Sequence, residues 1–183
     1  GGGAGDLRDA YPGLLATGDM RQSIEALVSP MWQEHLRHRF SQGQESNVQI
    51  GGQTMGNMII AAAIQQADGN ITSALASLKE MLQFTGNVVP VSHDDRRLRF
   101  RFPNGEVIEG EHAAECDTRP SFRGVTIGFD KDEADISGEA EAAIKEANIV
   151  VVAPGDAYTS IGPNLVVRGM KEALRAKEAI FMV

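Results

Sequence analysis

The stretch Ile149-Val150-Val151-Val152-Ala153-Pro154-Gly155 constrains the fold of this chain more than any other. An unbroken, mostly β-branched run has the character of a strand buried on both faces, as in a parallel sheet covered by helices. Pro154-Gly155 ends the run. A polar loop with Asp156, Tyr158, Thr159 and Ser160 follows, and a new helix opens near Gly162-Pro163. In such sheets ligands bind beyond the carboxyl ends of the strands, where these loops lie. Glycine, hydroxyls and the amides that open a helix suit an anion, phosphate above all. The loop therefore reads as one wall of a site for a phosphorylated ligand.

The rest of the chain is consistent with helices around such a sheet. Asp19-Met20-Arg21 leads into apolar positions Ile24, Leu27, Val28, Met31, Trp32, Leu36 and Phe40, spaced mostly by three and four, with Pro30 kinking or dividing the helix. Residues 41–52 read as a polar, Gly-rich loop. Gly56-Asn57 opens a helix over 58–67 that is apolar enough to lie in the core, and 71–84 is a second one, capped by Asn70 or Thr72. Short strands are predicted at 88–91, 98–102, 106–109 and 122–127, and 97–102 alternates with strict strand period. A helix over 137–146 with Ser137 as N-cap, a helix over 163–176 and a final strand complete the pattern. The predicted fold class is α/β, a Rossmann-like and mostly parallel sheet flanked by helices. It forms one nucleotide-binding domain over 1–183, incomplete, with a β-rich subregion at about 86–127. The chain opens directly in Gly1-Gly2-Gly3-Ala4-Gly5 and stops within 179–183, a core-type strand, so both ends read as cuts in a longer protein.

Composition narrows the functions. The chain has 183 residues, 42% of them hydrophobic and 23% charged, and a net charge of −8. An acidic chain is poorly suited to nucleic acid or to an anionic membrane surface, yet a few amides and one arginine still make a local anion site. One cysteine, Cys116, excludes an internal disulfide framework and a Cys-rich metal site. No apolar stretch has the length of a membrane span. The histidines, His35, His38, His93 and His112, show no metal-ligand spacing. Arg96, Arg97, Arg99 and Arg101 form a basic strip that pairs with the acidic runs of the chain or of another copy, which leaves a homo-oligomer open.

Five ordered motifs carry a resemblance. Gly1-Gly2-Gly3-Ala4-Gly5-Asp6-Leu7-Arg8 resembles a Gly-Gly-Ser-Ser-Gly-x-Leu-Arg loop, and Gly18-Asp19-Met20-Arg21 resembles a Gly-Asp-Ile-Arg helix head. His38-Arg39-Phe40, Gly52-Gln53-Thr54-Met55-Gly56-Asn57 and Ala153-Pro154-Gly155-Asp156-Ala157-Tyr158-Thr159-Ser160 follow in order. Together they resemble the gluconeogenesis factor family, relatives of 2-phospho-L-lactate transferase, over nearly the whole chain. Departures are Gly3-Ala4 in place of two serines, Ala16-Thr17 in place of two prolines, and Ala153 in place of glycine. An acidic pair that precedes the first loop in the family lies outside this sequence.

The resemblance implies ligand roles for Gly1, Gly2, Gly5, Asp19, Arg21, Gly56, Asn57, Gly155, Asp156, Tyr158, Thr159 and Ser160, with no resident metal. Each residue also has a plain reading: Asp19 and Asn57 as helix caps worth about 1 kcal/mol, Arg21 as a surface charge, Tyr158 as packing. The implied function is that of a cytoplasmic bacterial regulatory protein. It binds a nucleotide or nucleotide-sugar of the UDP-sugar type and is linked to carbon metabolism and cell-envelope shape. The alternative is a 2-phospho-L-lactate transferase-like enzyme moving phospholactyl from a guanosine diphosphate donor to a deazaflavin. In that case Asp19 is the catalytic candidate and Mg2+ the cofactor.

Overall fold

A computed structural model describes residues 17–40, 52–110, 113–114, 123–131, 133–177 and 180–182. The described residues up to Val89 form one compact unit, and those from Pro90 onward form a second.

The first unit is helical. Helix α1 spans Thr17–Glu25, α2 Pro30–Arg37, α3 Met55–Gln66 and α4 Ile71–Leu82. Pro30 divides the first two helices rather than kinking one. It occupies the first turn of α2, where its missing N–H is no loss. Met20, Ile24, Val28, Leu36, Ile60, Ile64, Leu75, Leu78 and Leu82 make one core, with Trp32 packed against it. Met31, read from its spacing as an inward residue, is instead 63% exposed. Helix α3 starts at Met55, one residue before the predicted Gly56-Asn57, because Thr54 caps it: Asn57 N–H donates to Thr54 Oγ1 at 3.2 Å. Asn70 caps α4 through Ser73 N–H, one of the two caps anticipated.

The second unit contains both sheets of the described residues. Strands β1 (Leu98–Arg101), β2 (Val107–Glu109) and β3 (Thr126–Phe129) form an antiparallel sheet in the order β2-β1-β3. Phe100 faces Ile108 on one side and Ile127 on the other. The alternation holds: Phe100 and Phe102 are buried and Arg101 is exposed. Helix α5 spans Gly138–Glu146, and β4 (Val150–Val152) pairs in parallel with β5 (Ile180–Met182). Between those strands come a π-helical turn at Ala157–Ile161 and the short helices α6 (Gly162–Leu165) and α7 (Met170–Arg175). The class is α/β, although β4-β5 is the one parallel pairing among the described strands.

Several expectations are corrected. Residues 88–91 form no strand. Pro90 lacks a ladder donor, and the carbonyls of Pro90 and Val91 accept instead from Ser137 Oγ and Ser137 N–H at the head of α5. The helix predicted over 163–176 is interrupted at 166–169. There Arg168 N–H donates to Ala134 O and Ile136 N–H to Arg168 O, and Gly169 supplies φ +91°. The run 149–153 is not buried on both faces, since Ile149 and Val151 are each 57% exposed.

Candidate functional site

In the first unit, two of the predicted residues meet. Helix α1 packs on α3, and the stem of Arg21 crosses the first turn of α3 at Gly56. A Cβ built on Gly56 would stand 2.8 Å from Arg21 Cγ, 2.9 Å from Arg21 Cδ and 2.9 Å from the carbonyl oxygen of Leu36. Glycine is required there because the arginine and the end of α2 fill the space a side chain would need. Arg21 is not a surface charge: its side chain is only 15% exposed.

Its guanidinium is held by Glu25, four residues along α1. Arg21 Nη1 donates to Glu25 Oε1, and Arg37 Nε, from the end of α2, donates to Glu25 Oε2 at 3.1 Å. Glu25 is 5% exposed. A carboxylate this buried is tolerable only when paired, and removing a partner from such a pair costs about 3–5 kcal/mol. With two arginines on one carboxylate, the triad keeps a net positive charge.

The elements that meet here, α1 and the segment that opens α3, also carry polar atoms left without partners. Thr17 Oγ1, Arg21 Nε, Gln53 Oε1 and Asn57 Oδ1 are buried and have no hydrogen-bond partner among the described residues. Thr17 is one turn before Arg21 on α1, Asn57 follows Gly56 on α3, and Gln53 precedes the cap. An unmade buried hydrogen bond costs about 1–3 kcal/mol, so such groups in one region are a functional signal. Among the described residues of the second unit, Arg99 Nε is the one comparable atom.

The segment leading into α3 is fixed by backbone pairing with the end of α2. Phe40 N–H donates to Gln53 O at 2.9 Å, Gly52 N–H to Phe40 O at 2.8 Å and Met55 N–H to His38 O at 2.8 Å. Arg39 Nη1 donates to Gly52 O. The motif residues His38-Arg39-Phe40 and Gly52 to Asn57 therefore act together as the frame of the α3 head. Asp19 is exposed in the first turn of α1, inside the helix rather than at its N-cap. Gly1, Gly2 and Gly5 lie outside the described residues.

In the second unit, the loop after β4 is largely self-satisfied. Asp156 Oδ1 accepts from Tyr158 N–H at 2.8 Å, Thr159 N–H at 2.7 Å and Thr159 Oγ1 at 3.1 Å. The Asp156 carbonyl accepts from Ser160 N–H at 3.0 Å and Ile161 N–H at 2.9 Å. The N–H groups of Tyr158, Thr159, Ser160 and Ile161 are thus all bonded to Asp156. The N–H groups of Thr159 and Tyr158 hold the Asp156 carboxyl below the usual carboxylate range. Tyr158 packs against the cluster of Phe100, Phe102 and Ala114, and Thr159 is buried. Gly155 sits against Ser160 Cβ, 3.1 Å from where its own Cβ would be. Ser160 is exposed.

Glu25, Arg37, Thr17 and Gln53 were not identified as site residues from sequence. The available signal was the i, i+4 spacing of Arg21 and Glu25, which on most helices marks a solvated pair. Among the described residues no three His, Cys, Asp or Glu side chains are grouped to hold a metal ion, and no helix is long and apolar enough to cross a membrane.

Comparison with known proteins agrees with the motifs. A Thermotoga maritima protein named "Putative gluconeogenesis factor" is 34% identical over 181 residues, covering 98% of this chain and 54% of its own length. The protein of the same name from Clostridium acetobutylicum is 34% identical over 186 residues, covering 98% of this chain and 39% of its own. This chain thus spans about half the length of such relatives or less. A crystal structure of a Bacillus halodurans protein superimposes with TM-score 0.83 at 25% identity, over 100% of this chain and 57% of that one. A second crystal structure of that protein gives TM-score 0.81 at 26% identity, over 98% and 55%. The sequence model of the 2-phospho-L-lactate transferase CofD family matches residues 1–183, and the chain belongs to that family.

Proposed function

We propose that this chain is the nucleotide-binding part of a cytoplasmic regulatory protein of the gluconeogenesis factor type, and that its ligand is a nucleotide-sugar such as a UDP-sugar. The observation that carries the reading is the set of unpaired buried groups on α1 and on the segment that opens α3: Arg21 Nε, Thr17 Oγ1, Gln53 Oε1 and Asn57 Oδ1. One donor on a cation beside a helix head suits a phosphate oxygen. Two carboxamide oxygens and a hydroxyl suit the O–H and N–H groups of a sugar or base. A phosphorylated sugar or nucleoside presents both kinds of partner, whereas a bare anion presents one. Thr17, Gln53 and Asn57 are buried, whereas the side chain of Arg21 retains 15% exposure. In the second unit the loop candidates are Gly155, Asp156, Tyr158, Thr159 and Ser160; Ser160 is exposed, and Asp156 and Thr159 are bonded to each other.

The roles in carbon metabolism and cell-envelope shape belong to the same proposal and rest on the family relationship. The transferase reading draws on the name of the matching family. It gives the catalytic position to Asp19, whose exposure on α1 leaves it accessible. Magnesium would then be held mostly by diphosphate oxygens, as is usual for that ion. The two readings separate in a thermal-shift panel on the full-length protein with UDP-sugars, GDP and GTP, with and without Mg2+. Stabilisation that grows with UDP-sugar concentration and needs no acceptor supports the regulator. Absence of any shift at millimolar nucleotide rejects it.

A further inference from the structure

We infer that Glu25 is a positioning residue for the arginine of this site. It fixes Arg21 through one carboxylate oxygen and recruits Arg37 through the other, so that Arg21 is both immobilised and left with net positive charge. The inference builds on the ligand reading above but makes a claim about the protein alone, which is testable without ligand.

The geometry distinguishes the two arginines. Arg21 has a 15% exposed side chain pressed across Gly56, while the Arg37 side chain is 63% exposed. Glu25 stands between them, 5% exposed, at the last residue of α1. A carboxylate at the C-terminal end of a helix meets the negative end of the helix dipole, so this is an unfavourable place for a buried acid unless cations hold it there. Arg21 alone would neutralise Glu25 and leave a pair with little field to offer a phosphate. Arg37, donating from α2 at 3.1 Å, restores one positive charge to the group. Meanwhile the bond to Glu25 occupies Arg21 Nη1, the stem of the side chain (Cγ and Cδ) lies against Gly56, and the buried Nε has no partner among the described residues. A rigid arginine with a free edge loses little side-chain entropy on binding, which is the advantage of preorganisation.

This role gives an effect of opposite sign to simple electrostatics. Glu25→Gln removes a negative charge near the anion seat, so charge alone predicts tighter phosphate binding. Positioning predicts weaker binding, because Arg21 is released. The test uses the full-length protein with UDP-N-acetylglucosamine as probe, read by calorimetry, and the Nε–Hε NMR signal of Arg21 without ligand, assigned by its loss in Arg21→Lys. The expected result is a slowly exchanging Arg21 signal in the wild type and in Arg37→Ala. That signal disappears in Glu25→Gln, with affinity down about tenfold or more, while the backbone spectrum stays native. Arg37→Ala should weaken binding mainly at low salt. Should Glu25→Gln fail to fold, Glu25→Asp, which keeps the charge but withdraws it by one methylene, is measured in the same way. An Arg21 signal unchanged in the Glu25 variants, already absent in the wild type, or accompanied by tighter binding in Glu25→Gln overturns the inference. A wild-type protein that ignores the probe rejects the nucleotide-sugar reading alone, and the ligand-free signal still decides the role of Glu25.

Discussion

Arg21 lies across Gly56, with its Cγ and Cδ 2.8 and 2.9 Å from the point where a Cβ on that glycine would be. The two residues belong to different helices, 35 positions apart in the chain, and this contact is where two separate motifs of the sequence become one feature. It places a cationic side chain beside the amino end of α3, which has its own cap in Thr54 and its own buried carboxamide in Asn57.

Gly56→Ala therefore tests the contact with the smallest possible change. The added methyl meets the arginine stem and also the fixed carbonyl of Leu36, so rotation of Arg21 alone cannot relieve it. Overpacking of this kind costs about 1–3 kcal/mol. Urea unfolding should show that loss. A variant as stable as the wild type would mean that α3 shifts freely and that the Arg21 contact is not close-packed.

Acid should weaken the second unit. Thr159 and Tyr158 N–H groups lower the Asp156 carboxyl, and the hydrogen bonds from Arg168, with its charge, lower that of Asp135. A carboxylate with a lowered folded pKa contributes stability above its unfolded value of about 4, and loses it as pH falls through the lower folded value. Melting temperatures measured from about pH 6 down to about pH 3 should fall. In Asp156→Asn the neutral-pH stability should be lower and the acid slope shallower. An unchanged slope in that variant would remove Asp156 from the account.

Gly162 is the corresponding packing point below the π-helical turn. A Cβ there would collide with Ile127 Cδ1 and come within 2.7 Å of the carbonyl oxygen of Ala157. Gly162→Ala should destabilise by about 1–3 kcal/mol. It should also loosen Tyr158, whose ring packs on the Phe100 cluster beside Ile127. Tyrosine fluorescence and urea unfolding read both effects. Native stability in Gly162→Ala would show that the turn is not fixed by that approach.

What could be read from sequence was mostly local. Ser137 and Asn70 cap their helices as their positions indicate, and β1 alternates as its residues do, because cap chemistry and strand period depend on near neighbours. The break at 166–169 could not be seen, since it is made by pairing with Ala134 and Ile136 from another part of the chain. The loop after β4 was ambiguous for a physical reason. Polar residues ahead of a helical turn look alike whether they bind a ligand or cap the turn, and Asp156 is engaged in capping. Arg21, Gly56 and Asn57 were legible as motif positions. Glu25 was not, because burial of a charged residue four places from its partner is decided by the helices packed around it.

The most direct measurement of the central claim is calorimetric titration of the full-length protein with UDP-N-acetylglucosamine, followed by chromatography of the recovered nucleotide. Saturable binding, return of the ligand unchanged, and an affinity loss of roughly 1–3 kcal/mol in Arg21→Ala are expected. That variant is compared at a temperature where it is folded, since it also strips a partner from the buried Glu25. No binding at millimolar ligand, or equal affinity in Arg21→Ala, would contradict the account. Release of GMP from a phospholactyl-guanosine donor in the presence of deazaflavin and Mg2+, abolished in Asp19→Ala, would contradict it in favour of the transferase.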